Sequence, residues 1–326
     1  MDQFKPRPDS GNLNATQSKR KETSPDYFGE IALKQTALAG VVFTGSTRTA
    51  LWLNRALAAR DGAILPLIAE TGGINAMVVD STALIEQVVD DVVSSAFGSA
   101  GQRCSALRLL CLQEDIADRS IHMLQGAMQR LRIGDPADPD TDVGPLISQS
   151  AAEGLETHVR QQLERGAALL AQTTLPDTDR LTEIQRQAGI DPERFFAPTL
   201  LALNEISDLT TEAFGPVLHV VRFKAAELSN TLAAIKANGY GLTLGIQSRL
   251  DDTQLKGFTQ SIAGNVYVNR NMIGAVVGVQ PFGGTGLSGT GPKAGGPHYL
   301  QRFTTERTLT INTTATGGNT ALLSLD

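Results

Sequence analysis

Two cysteines, one tryptophan and four histidines in 326 residues set the first limits on this chain. Cys104 and Cys111 have no paired spacing, which excludes a disulfide scaffold and points to a reducing compartment, the cytoplasm. His122, His158, His219 and His298 are scattered without ligand spacing, so no metal is expected. No run approaches the roughly 18 apolar residues that a membrane span needs. Residues 1–10 are too polar for a signal peptide, so neither a transmembrane segment nor export is expected. The formal charge is −6, and no basic cluster interleaved with aromatics occurs, which argues against a nucleic-acid partner.

What is present is a soluble globular composition, 41% hydrophobic and 19% charged, long enough for one large or two ordinary domains. Residues 1–33 are polar and unpatterned and are expected to form a disordered tail. Beyond them Val41-Val42-Phe43 reads as a buried strand, followed by a helix over 48–59 and a strand over 64–69. Apolar residues at 84, 85, 88, 89, 92, 93, 96 and 97 form one stripe at helical period, with a cap at Asp80-Ser81. Helices are expected over 116–132, 148–165, 226–237 and 252–261, and strands over 217–223, 244–248 and 265–269. Residues 281–297 read as a glycine-rich loop and 307–312 as a terminal strand. Alternating strands and helices predict an α/β fold with a parallel sheet.

The chemistry concentrates at Cys104, in Gly101-Gln102-Arg103-Cys104-Ser105, and at Glu70, in Leu67-Ile68-Ala69-Glu70-Thr71-Gly72-Gly73. A free thiol with a pKa near ~8.5 is only a few per cent ionised at neutral pH, so a nucleophilic cysteine gains from a nearby base. A carboxylate where a strand ends can supply that base, for the thiol or for water that cleaves a thioester. A small buried hydrophobe is the alternative role for a lone cysteine, and Cys111 in Leu109-Leu110-Cys111-Leu112 fits it. Phe43-Thr44-Gly45-Ser46-Thr47 turns a strand into a helix, whose free N–H groups suit a pyrophosphate. Glu212 and Phe214, in Glu212-Ala213-Phe214-Gly215-Pro216, offer a carboxylate for a ribose and a ring for a flat heterocycle; an exposed Glu and a core Phe are the alternative. The turn Ser288-Gly289-Thr290-Gly291-Pro292-Lys293 can form a nest for an anion, or be an ordinary loop.

Taken in order, Phe43-Thr44-Gly45-Ser46, Glu70-Thr71-Gly72-Gly73, Gly101-Gln102-Arg103-Cys104, Glu212-Ala213-Phe214-Gly215-Pro216 and Pro281-Phe282-Gly283-Gly284 resemble the aldehyde dehydrogenase superfamily. The wording of residues 67–77, 99–108 and 267–297, and of the tail 312–323, resembles the L-glutamate γ-semialdehyde (1-pyrroline-5-carboxylate) dehydrogenase part of the bifunctional proline utilization A proteins. The likeness covers residues 37–326. It implies an NAD-dependent oxidoreductase of proline catabolism that oxidises a small-molecule aldehyde to L-glutamate through a Cys104 thioester, with Glu70 activating water. It implies Gly45 and Ser46 at the pyrophosphate, with Thr71 and Gly72 also in the cofactor site. Glu212 and Phe214 would lie at the nicotinamide ribose and ring. Ser105, Ser288, Gly289, Thr290 and Phe282 would lie at the substrate, the α-carboxylate falling to Ser105 and the 288–290 turn. It also implies a homo-oligomer joined through the C-terminal strand. The implied organisation is a non-family tail at 1–33, a remnant of the NAD-binding domain at 34–72, a catalytic domain at 73–298 and an association segment at 299–326.

The chain departs from that superfamily upstream of Phe43, where a Trp-Asn-Phe-Pro segment and a strand-borne Lys-Pro segment are expected. The only Trp is Trp52, and Lys5-Pro6 lies in the polar stretch. The expectation is therefore an N-terminally truncated fragment with an open sheet edge. The alternative to an enzyme is an inactive remnant or association module, and a third reading is a different aldehyde on the same fold.

Overall fold

A computed structural model describes residues 25–276 and 278–312. The chain runs α1 (Pro25–Leu33), β1 (Val41–Thr44), α2 (Thr47–Ala58), β2 (Leu67–Glu70), β3 (Ala76–Val79), α3 (Ile85–Phe97), β4 (Leu109–Gln113), α4 (Glu114–Met128), α5 (Gln149–Glu164), β5 (Ala168–Gln172), α6 (Thr178–Ala188), β6 (Thr199–Ala202), β7 (Val217–Phe223), α7 (Leu228–Ala237), β8 (Tyr240–Gly241), β9 (Thr243–Gln247), α8 (Asp251–Gln260), β10 (Asn265–Val268) and β11 (Thr285–Gly286). A seven-stranded sheet has the order β10-β9-β3-β4-β7-β6-β5. All its pairings are parallel except β5 against β6, which is antiparallel and bulged between Leu169 and Ala171.

The sheet is parallel because its central strands are apolar on both faces. Side chains alternate across a strand. Met77, Val79, Leu110 and Leu112 therefore enter one core with α3, α4 and α5, while Ala76, Val78, Leu109 and Cys111 enter a second with α7. On α3 the stripe delivers Ile85, Val88, Val89, Val92, Ala96 and Phe97 to the core. Leu84, read as part of that stripe, instead stands before the helix and is exposed. Asp80 does not cap α3. Its Oδ1 accepts from the Thr82 amide at 2.8 Å and from the Thr82 hydroxyl at 2.6 Å, closing the turn ahead of the helix.

β1 and β2, within residues 34–72, form a separate parallel pair. β2 is covered on its other side by the 288–290 segment, whose Thr290 amide donates to the Ala69 carbonyl at 2.9 Å while the Thr71 amide donates to the Ser288 carbonyl at 2.9 Å. β1 has no further strand partner among the described residues, and Val42 is 56% exposed there.

Two expectations are corrected. Residues 25–33, read as tail, form α1; residues 1–24 lie outside the described residues. The strand expected over 307–312 is absent, the backbone running irregular and exposed, and 313–326 lie outside the described residues. Strands β3, β4, β5 and β6 and helix α6 went unread in the sequence. No helix among the described residues is long and apolar enough to cross a membrane.

Leu110 is 2% exposed on β4, the central strand of the seven. Leu110→Ala is expected to cost about 2–5 kcal/mol in urea unfolding, transfer and cavity terms combined. A loss below about 0.5 kcal/mol, typical of surface changes, would contradict this core assignment.

Candidate active site

The loop that carries Cys104, the expected nucleophile, is built from backbone that ordinary residues avoid. After α3 the chain passes through Ser99 (φ 55°), Ala100 (φ 53°) and Gly101 (φ 63°), three successive left-handed residues. Each non-glycine residue there costs about 1–3 kcal/mol, so the surroundings must hold it in place. Gly101 can carry no side chain, because a Cβ would collide with the Gly215 carbonyl.

What holds the loop is Arg108, fully buried at 0% exposure. Its Nη1 donates to the Gly101 carbonyl at 2.7 Å and the Gly215 carbonyl at 3.0 Å. Its Nη2 donates to the Arg103 carbonyl at 3.2 Å and to Glu212 Oε1 at 3.2 Å. The guanidinium also lies 5.3 Å from the centre of the Phe214 ring. Asn75 completes the support: its Nδ2 donates to the Cys104 carbonyl at 2.6 Å and the Ala106 carbonyl at 2.9 Å, and its Oδ1 accepts from the Thr243 amide at 3.2 Å. Both residues went unassigned in the sequence, although their types were a signal: a buried arginine needs acceptors, and a buried asparagine after a glycine pair needs a turn to satisfy.

Cys104 is half-buried and Cys111 buried. Burial raises the Cys104 pKa, and the Glu212 and Glu70 carboxylates raise it further, while the backbone amides of Ser105 and Cys104 itself oppose the rise. The resting thiol is therefore protonated at neutral pH. Burial alone pushes Cys111 up to about 12.

Glu70 stands at the end of β2, as read from the sequence, close enough for its charge to act on Cys104. Its Oε2 accepts from the Gly284 amide at 2.8 Å. Its Oε1 is buried and has no hydrogen-bond partner among the described residues. Burial raises its pKa from 4.5 to about 7, against the Gly284 amide and the Lys293 charge, which pull it down. Glu212 joins the two loops. It pairs with Arg108 on one side and accepts from the Gly73 amide on the other. It packs so closely over Gly72 that a Cβ there would overlap its carboxylate. Burial raises its pKa and Arg108 lowers it.

The expected cofactor turn lies beside this cluster. Gly45 donates its amide to the Glu70 carbonyl at 3.1 Å, and Ser46 caps α2, its hydroxyl accepting from the Thr49 amide at 3.2 Å. Thr71 is buried and its hydroxyl donates to the Leu287 carbonyl at 2.6 Å. Phe214 is 44% exposed and, with Glu212, Gln102, Ile147 and His158, lines a cavity of about 360 Å³. The structure thus brings Cys104, Glu70, Gly72, Glu212 and Phe214 together.

The substrate-side expectation fares differently. Ser288 is 0% exposed and its hydroxyl accepts from the Gly241 amide at 3.1 Å; Ser105 is 5% exposed. The Thr290 hydroxyl accepts from the Ala69 amide at 2.9 Å, and Gly289 bridges Glu70. The 288–290 segment therefore lies along β2 as an added strand: the Thr290 amide and hydroxyl pair with Ala69, the Ser288 amide donates to the Thr285 carbonyl, and the Gly289 amide takes no part in that pairing. Phe282 is half-buried and bridges Ala294. Among the described residues no three metal-ligating side chains lie together.

Iodoacetamide on the native protein is expected to modify Cys104 and spare Cys111, with the rate rising as pH climbs past the ordinary thiol range. Peptide mapping that finds equal labelling would reverse the assignment. Arg108→Lys keeps the charge but cannot reach three carbonyls and a carboxylate, and should lower stability by about 1–3 kcal/mol for each group left unpaired. An unchanged urea midpoint would remove Arg108 from its supporting role.

Residues 23–309 match the aldehyde dehydrogenase family. The chain is 52% identical over 271 residues to the bifunctional protein PutA of Escherichia coli (strain K12), covering 82% of this chain and 20% of that protein. It is 35% identical over 266 residues to a 1-pyrroline-5-carboxylate dehydrogenase of Geobacillus sp. (strain WCH70), covering 80% of this chain and 48% of that one. A crystal structure of a bifunctional proline utilization A protein superposes with a TM-score of 0.82 at 55% identity, over 90% of this chain and 28% of that one. The chain thus spans about a fifth of its PutA relatives and about half of the dehydrogenases. On the match of fold, motif order and cysteine loop, this chain belongs to the aldehyde dehydrogenase family.

Proposed function

We propose that this chain carries the thiol and base of an NAD-dependent dehydrogenase that oxidises L-glutamate γ-semialdehyde, formed from 1-pyrroline-5-carboxylate, to L-glutamate in proline catabolism. The observation that carries the reading is the joint placement of a strand-end carboxylate and a half-buried thiol, clasped by Glu212 between their two loops. The substrate class rests on relatives whose names specify 1-pyrroline-5-carboxylate dehydrogenase.

The residues fit a nicotinamide coenzyme. Gly45 and Ser46 sit at the N-terminus of the 12-residue α2, where free amides and the helix dipole favour a pyrophosphate. The exposed Phe214 ring and Glu212 border the cavity beside the thiol, suited to the nicotinamide ring and its ribose. Glu212 would have to exchange the Gly73 amide for a ribose hydroxyl. The coenzyme, when bound, supplies the acceptor for the two electrons that leave with the aldehyde hydrogen.

The thiol proton is given up to a base and the Cys104 sulfur forms a bond to the aldehyde carbon, whose oxygen takes on negative charge. The amides of Ser105 and Cys104, which already favour the thiolate, are the donors nearest to that charge. Loss of the aldehyde hydrogen with its electron pair leaves a thioester. Glu70 then takes a proton from water, the hydroxide adds to the thioester carbon, and the C–S bond breaks to release the acid and return the thiolate. A base with a pKa of about 7 is divided between its two forms at neutral pH, which suits a group that must accept and later release a proton. The cytoplasm is the proposed location and a homo-oligomer the proposed state. The reading of an inactive association module finds no feature at this site that favours it.

NADH formation from glutamate semialdehyde tests the proposal directly. Cys104→Ala should abolish it while Cys111→Ala leaves it, and equal effects would undo the nucleophile. Glu70→Gln should slow the rate about 10²–10⁴-fold, the usual worth of a positioned base. In the parent chain the rate should fall as pH drops through about 7, where Glu70 becomes protonated. A rate flat across that range would exclude Glu70 as base.

A further inference from the structure

Glu70 is the base in the reading above, and the question left by the geometry is what keeps a half-buried carboxylate ionised. Oε2 has one donor, the Gly284 amide, and Oε1 is buried without one. The carboxylate is packed against backbone: a Cβ on Gly283 would lie 2.8 Å from Oε1, and one on Gly289 would lie 2.9 Å from Oε2. No arginine fork reaches it. The titratable groups that face it are Cys104, from the nucleophile loop, and Lys293, from the 281–297 segment. β1 and β2 contribute none. Glu212, the next acidic group, is drawn toward Arg108 and Gly73.

Lys293 is placed with care. Its Cα lies 3.1 Å from the same Cβ position on Gly283 that approaches Glu70, and its ammonium donates to the Gly264 carbonyl. The Phe282–Ala294 bridge, with the Ala294 amide donating to the Phe282 carbonyl at 2.9 Å, fixes the backbone on which Lys293 stands. The ammonium is thus anchored on backbone and acts on the carboxylate through space. It is half-buried, so the attraction is less screened than on an open surface. Burial lowers the Lys293 pKa and Glu70 raises it, the mirror of the effect on Glu70.

We propose that Lys293 is a positioning charge for the base: its ammonium, pinned to the Gly264 carbonyl, favours the ionised, proton-accepting form of Glu70. This deepens the assignment of Glu70 as base and rests on it. The role is electrostatic, so it separates from a purely structural one by chemistry. Lys293→Gln keeps an N–H donor for Gly264 and removes the charge. Lys293→Arg keeps the charge.

The test is an infrared titration of the Glu70 carboxyl, isolated as the difference between each protein and its own Glu70→Gln variant, on the full chain. It needs no turnover, so it stands whether or not the dehydrogenase reading survives the NADH assay. In the parent chain the band should titrate near pH 7. Lys293→Gln should move the midpoint upward by more than about 0.3 pH units, a twofold change in the protonation ratio, and Lys293→Arg should leave it in place. Equal midpoints in all three proteins would overturn the proposal. So would a shift of the same size in Lys293→Arg as in Lys293→Gln, which would show that loop geometry, not charge, sets the carboxyl. Where turnover is measurable, the acid limb of the rate profile should move upward in Lys293→Gln alone.

Discussion

The buried guanidinium of Arg108 is the interaction on which the rest of the site depends. Transferring a cation to a dry interior is costly, and it is tolerated only when acceptors and a counter-charge surround it. Here three backbone carbonyls and one carboxylate do so. Each of those carbonyls belongs to a segment that has to be placed: Gly101 and Arg103 to the nucleophile loop, Gly215 to the turn before β7. The loop's left-handed residues are unfavourable in isolation and become affordable only because this one side chain closes on their carbonyls. The Arg108 backbone is fixed in turn by His219. The Arg108 carbonyl can only accept, so His219 Nδ1, 2.9 Å away, carries a proton. Burial pushes the His219 pKa down to about 3, so the ring is neutral and its Nε2 accepts from His158 at 2.9 Å. Neutrality there avoids a second cation beside Arg108.

Glu212 extends that constraint across the boundary between the two sheets. It answers Arg108 on the side of the seven-stranded sheet and takes the Gly73 amide on the side of β2. The absence of a side chain at Gly72 is what allows the approach. The Cys104 thiol and the Glu70 carboxylate are therefore not placed independently. One carboxylate registers their loops against each other, and its charge adds to burial in raising the pKa of the neighbouring thiol. On the proposed reading, drawing Glu212 toward a ribose would alter both loops and the thiol's electrostatics together.

The motifs at 43–47, 70–73, 101–105 and 212–216 were legible in the sequence because each combines chemistry with a turn residue, and turns are local. The α3 stripe was legible because its 3.6-residue period survives burial of one face. β3 and β4 were not, since a strand buried on both faces is a short continuous apolar run with no period to read. β5 was hidden for another reason: it is a mostly exposed edge strand built from Ala168-Leu169-Leu170-Ala171-Gln172, residue types that favour helix over strand. In the 288–290 turn the sequence shows which amides exist but not which are already paired: those of Ser288 and Thr290 are, and that of Gly289 is not. Lys293 and Arg108 were quoted within motifs and given no task, because their tasks lie with residues 223 and 104 positions away in the chain.

The energetic sign of Glu70 argues for its place in chemistry. Its folded pKa of about 7 exceeds the usual 4.5, so between those values the folded chain holds a proton that the unfolded chain has lost. Stability from this group therefore falls as pH rises through that window, and the cost is complete above about pH 7. A glutamine in the same cradle would carry no such cost. A carboxylate kept where ionising it weakens the fold, with one oxygen unpaired and glycines in place of donors, is poorly suited to holding structure together. It is well suited to changing partner: leaving the cradle breaks a single backbone hydrogen bond, worth about 1–3 kcal/mol to a charged acceptor. The nearest cation is held by Gly264, so it draws on the carboxylate without locking it in an ion pair. The site thus keeps its rigidity at Arg108 and its freedom at Glu70, which on the proposed reading is the division of labour between a fixed nucleophile and a base that changes partner.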